Sequence, residues 1–125
     1  MKKLIPVGFF HELSDDPDEQ RALPSLRAAI SEAAQENEEK IVAYLRGGIC
    51  LGARGCYVED VLDPTSRLPL VAHSYTDGTY LWRLDIAHYV EKYHLRLPPE
   101  FIRHMAAMNW QIPAKEQLKL DLLEV

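Results

Sequence analysis

Five histidines, two cysteines and nineteen acidic residues are the side chains here that could hold a metal or assist a reaction. Their spacings argue against both. His88 and His94 stand six residues apart, about 240° around a helix, so they cannot share a face as i, i+4 ligands do. His73 and His104 fall on other predicted elements, and only folding could assemble a site from them. Cys50 and Cys56 match neither a zinc pattern nor a C-x-x-C redox motif. They are expected as small buried thiols in a reducing compartment. Nucleophilic catalysis needs a Ser or Cys beside a base. The neighbours His73 and Ser74 would point to opposite faces of a strand, and there is no Gly-x-Ser-x-Gly. Any two of the acids could meet as a catalytic pair, but no spacing selects one. Gly47-Gly48 and the Gly52–Gly55 stretch form neither a dinucleotide fingerprint nor a P-loop. No catalytic residue, metal ligand or cofactor is therefore predicted. His94 is expected at a helix C-terminus, His88 in solvent and His73 stacked on Trp82.

The elements that position these groups centre on residues 70–108. Asp77-Gly78 separates two β-favouring runs, and such a dipeptide suits a type I′ hairpin turn. A two-residue loop sets Thr76 against Thr79, Tyr75 against Tyr80, Ser74 against Leu81 and His73 against Trp82. Tyr75, Tyr80, Trp82, His73 and Val71 then share one aromatic face, either the inner surface of a sheet or a platform for a partner. Ile86, Val90 and Tyr93 recur at helical spacing, with Asp85 in the first turn. Pro98-Pro99 opens a second helix whose buried stripe is Phe101, Met105 and Met108.

Before this unit, residues 3–10 read as a strand, at an edge because Pro6 cannot donate to a ladder. Residues 14–19 form an acidic turn or helix start. Leu23, Leu26, Ile30 and Ala33 follow helical spacing, with Pro24 in the first turn. Asn37 suits the next N-cap, and Gly47 or Gly48 a left-handed C-cap. Residues 49–54 read as a strand, 56–62 as a strand or mixed piece and 63–66 as a turn; Leu118, Leu120 and Leu122 alternate as in a C-terminal strand, whereas Leu118, Leu122 and Val125 also suit a helix. The expected fold class is α+β: one domain over residues 1–125, an antiparallel sheet of four or five strands and about four helices mainly on one side.

The 125 residues are 47% hydrophobic and 26% charged, which suits one globular domain with its own core. A net charge of −5 argues against nucleic acid or an anionic membrane as the main partner. Nine of the nineteen acids lie in residues 1–40, against five bases. No run approaches a membrane span, and Lys2-Lys3 before Leu4–Phe10 lacks the small-residue cleavage site of a signal peptide. A cytoplasmic location is the expectation.

The run Thr76-Asp77-Gly78-Thr79-Tyr80-Leu81-Trp82, with Asp85 to His94 and Leu97-Pro98-Pro99-Glu100-Phe101, resembles a pattern in a group of small uncharacterised bacterial proteins. The likeness extends back through Gly8-Phe9-Phe10, Pro24-Ser25-Leu26 and Lys40–Arg46. No catalytic activity is assigned to that group, so the resemblance implies no active site. Immunity proteins of bacterial toxin systems are similarly compact.

The first expectation is thus a non-catalytic protein-binding protein, in its specific form a cytoplasmic immunity protein that neutralises a bacterial toxin. A regulatory or accessory interaction module is the alternative, and a small ligand-binding protein or enzyme the third reading. The predicted partner surface combines Asp15, Asp16, Asp18 and Glu19 with the aromatic residues Tyr75, Tyr80 and Trp82. Acids speed association with a basic partner, such as a toxin domain, and desolvated aromatics supply affinity.

Overall fold

In chain order the computed structural model runs β1 (Lys2–Lys3), β2 (Ile5–Pro6), a 3-10 turn (His11–Leu13), α1 (Pro17–Ala22), α2 (Leu26–Ala29), α3 (Glu38–Arg46), β3 (Ile49–Gly52), β4 (Tyr57–Val58), β5 (Leu70–Val71), β6 (Ser74–Thr76), β7 (Tyr80–Arg83), α4 (Ile86–Tyr93), α5 (Pro99–Ala107) and β8 (Leu123–Glu124). It describes residues 2–14, 16–52, 57–63, 65–66, 70–71, 73–113 and 123–124. The class is α+β, as expected. The main sheet has four strands in the order β2-β7-β6-β3 and is mixed, not antiparallel, because β2 joins β7 in parallel. Pro6 does sit on an edge strand. Two smaller pairs, β1 with β8 and β4 with β5, stand beside this sheet. Of the predicted C-terminal strand, residues 118–122 lie outside the described residues.

The hairpin forms where Asp77-Gly78 predicts it, but its register differs by two residues. Thr76 opposes Leu81, Tyr75 opposes Trp82 and Ser74 opposes Arg83. Only Gly78 takes a positive φ, +95°, so the turn is not type I′. Side chains close it instead. The Thr76 hydroxyl accepts from the Gly78 N–H and donates to the Tyr80 carbonyl. The Asp77 carboxylate accepts from the N–H groups of Thr79 and Tyr80. A two-residue shift preserves side-chain parity, so Tyr75, Tyr80 and Trp82 still share a face.

That face is the core side of the sheet. α3, α4 and α5 bury Ile41, Tyr44, Leu45, Ile86, Tyr89, Val90, Phe101 and Met105 against it, around a fully buried Trp82. The rings of Tyr44 and Phe101 lie 6.0 Å and 5.6 Å from that of Trp82, both in tilted contact. The indole N–H donates to the Leu45 carbonyl at 3.0 Å, which satisfies the ring's one polar atom. Gly48 makes this packing possible, because a Cβ there would lie 2.5 Å from the Trp82 ring. It does not serve as a left-handed cap, and neither does Gly47, whose φ is −86°. Asn37 stands at the N-cap position of α3 but makes no side-chain cap bond.

The helix predicted from Leu23 to Ala33 shrinks to the single turn α2, capped by Ser25 and by Glu12. Glu12 Oε1 and Oε2 accept from the Leu26 and Arg27 N–H groups at 2.8 Å and 2.9 Å. Beyond Ala29 the backbone has other partners. Arg96 N–H donates to the Ala29 carbonyl and Ser31 N–H to the Tyr93 carbonyl. Gln35 and the Arg96 guanidinium add side-chain bonds along the same seam. Tertiary bonds thus replace the helical ladder that Ile30 and Ala33 would have continued.

Candidate functional site

The acidic half of the predicted surface is exposed. Asp16 caps α1, its carboxylate accepting from the Asp18 N–H at 2.9 Å. Asp18 and Glu19 occupy the first turn, where negative charge complements the helix dipole. Asp18 meets Arg21 at 3.4 Å, with both side chains largely in water, a geometry that contributes little to stability. Asp15 lies outside the described residues.

The aromatic half is largely interior. Trp82 has no accessible surface, so it is corrected from a partner residue to the centre of the core. Tyr80 is half-buried, its ring 4.6 Å from that of Phe101 and 5.0 Å from that of His104. Tyr75 is also half-buried and packs on the core. The two halves are not brought together. The segment leading into α1 is tied to β7 by the Arg83 guanidinium, which donates to the Leu13 carbonyl at 2.6 Å. Arg83 is at the opposite end of β7 from Tyr80.

Three buried aspartates form the polar centres that sequence reasoning missed. Asp77 joins the hairpin turn to two helices. Besides its backbone donors it accepts from the Tyr44 hydroxyl of α3 at 2.5 Å and from His104 Nε2 of α5 at 3.0 Å. Burial first, and then the Asp77 carboxylate, pushes the Tyr44 phenol far above its ordinary pKa and keeps it a donor. Asp60 accepts from Leu62 N–H, His88 Nε2 and the Tyr93 hydroxyl, each at 2.8 Å. Burial opposes its charge, but these bonds outweigh it and hold the carboxyl below its usual value. Asp85 is held by a two-pronged contact from Arg83, with bonds of 3.1 Å and 2.8 Å. There burial wins over the guanidinium and raises the carboxyl's pKa.

These contacts revise the histidine expectations. His88 does not face solvent but is turned onto Asp60. His94 does end its helix, in the left-handed conformation, with Nδ1 2.9 Å from Glu38. His73 shows no described ring contact with Trp82; its carbonyl accepts from the Leu84 N–H. Cys50 is exposed, contrary to the buried thiol expected, and Cys56 lies outside the described residues. Short-range signals did exist for Asp77, in the hairpin dipeptide, and for Asp85, at the start of a predicted helix. Nothing local identified the donors that reach Asp60 and Asp77 from 27 to 33 residues away.

An imidazole held by a buried carboxylate is the arrangement of a general base with its orienting acid. Here each carboxylate also accepts from a tyrosine hydroxyl of a separate element, so Asp60 and Asp77 tie their turns to the helices. Among the described residues no three His, Cys, Asp or Glu side chains gather as a metal would need. An open groove of about 390 Å³ runs between α3 and α4, lined by Glu38, Glu39, Val42, Ala43, Arg46 and Glu91. Arg46 and Glu91 cross it through two parallel bonds of 3.1 Å and 3.2 Å. Among the described residues no helix is long and apolar enough to cross a membrane. In comparisons with protein-family models, with curated proteins and with solved structures, the chain matches none.

Proposed function

We propose that this chain binds a basic protein partner through its exposed carboxylates and carries out no reaction of its own. The observation supporting this is a sorting of its acids. Asp60, Asp77 and Asp85 are buried and taken up by internal donors, whereas Asp16, Asp18, Glu19, Glu32, Glu36, Glu39 and Glu91 face solvent. A field of exposed carboxylates accelerates encounter with a positively charged surface. Tyr75 and Tyr80 are half-buried and stand apart from the acids of α1, and Trp82 acts only by holding their strand. The specific form of this reading is a cytoplasmic immunity protein for a bacterial toxin. For a nuclease toxin, whose substrate groove is basic, the acids would take the place of phosphates.

The test is to purify the protein from its native cell with its bound partner and measure rates of association. Replacing Asp16, Asp18 and Glu19 together by Lys should slow association about tenfold at low salt and flatten its salt dependence. Dissociation should change far less. These residues make no contact with the core, so the variant should fold. Unchanged association at low salt would refute the acidic surface, and turnover of a small molecule by the protein alone would refute the binding reading.

A further inference from the structure

One side of the main sheet ends on β2, which is bonded to β7 by alternate residues. The Ile5 N–H donates to the Thr79 carbonyl at 2.9 Å and the Val7 N–H to the Leu81 carbonyl at 2.8 Å. Backbone groups of successive residues in a strand point to opposite sides. Residue 6 is therefore the one whose N–H would point away from β7, and it is a proline. The edge around it is short. Lys2–Lys3 pair with β8 before it, and Gly8 leaves the strand after it with a φ of +74°. Both Ile5 and Pro6 are exposed. At 49% accessibility, Ile5 is the one large hydrophobic side chain in water among the described residues.

We propose that Pro6 keeps the β2 edge from pairing with a second copy of this chain. An open strand edge is a template for another strand. Two identical edges can meet antiparallel about a two-fold axis, with residue 6 of each copy facing residue 6 of the other. Any residue but proline would then donate its N–H to the opposite carbonyl, and the pair would exchange two bonds. Proline keeps the carbonyl but has no N–H, and its ring fills the place of the hydrogen. Both bonds are lost at once, and two carbonyls are left to oppose one another. Within the sheet the proline costs no bond, because the donor it gives up is one that β7 does not use. Ile5 is the apolar surface that such a pairing would cover, so the guard stands beside the side chain that needs it. This inference does not depend on whether the chain binds another protein.

Pro6→Val in the full chain tests it. The position is exposed, so no core contact is lost, and circular dichroism checks the fold. If this variant does not fold, Pro6→Ala replaces it, since it supplies the same N–H. Sedimentation over a range of concentrations should show self-association about tenfold tighter or more than in the wild-type protein. The amide introduced at position 6 should gain protection from hydrogen exchange as concentration rises. The Val7 amide, bonded to Leu81 with or without a second copy, should stay within about twofold of its dilute rate. Adding Ile5→Lys should return association to the wild-type level, because a charged edge side chain resists pairing. Self-association no tighter than in the wild type would overturn the proposal. So would association that leaves the amide at position 6 unprotected, or that persists with Ile5→Lys, because the contact would then lie on another surface.

Discussion

Replacing Asp77 by Ala should be among the most damaging single changes in this protein. The carboxylate has no accessible surface and accepts four hydrogen bonds, from Thr79 N–H, Tyr80 N–H, Tyr44 Oη and His104 Nε2. The losses are unequal. Thr79, Tyr80 and His104 are partly exposed, so water can replace part of what they lose. Tyr44 is only 1% exposed, and its hydroxyl would remain buried without an acceptor. An unsatisfied buried hydroxyl costs about 1–3 kcal/mol, and each bond to a charged group that water only partly replaces about 0.5–1 kcal/mol more. The sum is about 2.5–6 kcal/mol, a large share of the roughly 5–15 kcal/mol that holds a domain folded. At this chain length it corresponds to a fall in Tm of about 10–20 °C. Urea denaturation followed by Trp fluorescence and circular dichroism measures it. Tyr44→Phe alone should cost about 1 kcal/mol, because Asp77 keeps three donors. Combined with Asp77→Ala it should show a coupling of about 1–2 kcal/mol, since the stranded hydroxyl is then gone. A loss under about 1 kcal/mol for Asp77→Ala, or strict additivity of the pair, would refute the idea that the turn is held through this carboxylate.

Two further outcomes follow from the core and from Asp60. Gly48→Ala places a methyl 2.5 Å from the Trp82 ring and 3.3 Å from the Thr76 carbonyl oxygen, so it should destabilise by about 1–3 kcal/mol and shift the Trp emission; a neutral effect would mean that the strand ends yield freely. Stability should fall on acidification, because a carboxyl whose folded pKa is depressed, as in Asp60, stabilises above its unfolded value near about 3.9 and loses that contribution as pH drops through the folded value; urea titrations from pH 7 to pH 3 should show a flatter profile in Asp60→Asn, and an unchanged slope would exclude Asp60 as a source of the acid sensitivity.

Much of this architecture is written in local pattern. Ile86 and Val90, and Phe101 and Met105, are buried at the spacing that predicts them, because a helix returns every fourth residue to one face. Pro98-Pro99 opens α5, Pro6 lies on an edge strand, and the Asp77-Gly78 hairpin appears in place. Each depends on geometry within a few residues, so a sequence read in short windows contains it. The aromatic face also follows from alternation alone, and the shift in register spared it by being even.

What tertiary structure decided is where the polar groups go. Asp77 has the makings of a two-residue turn, but Tyr44 and His104 draw its carboxylate inward and the loop closes through side chains instead. His88 lies away from the apolar stripe of α4, yet an aspartate 28 residues earlier folds over it and removes it from water. The predicted helix after Leu23 stops because the α4–α5 connection offers its backbone other partners. Hydrophobic burial is set by the period of the chain and is legible in one dimension. A hydrogen bond to a buried charge is directional and needs a particular partner at about 3 Å, and that partner is selected only when distant segments meet.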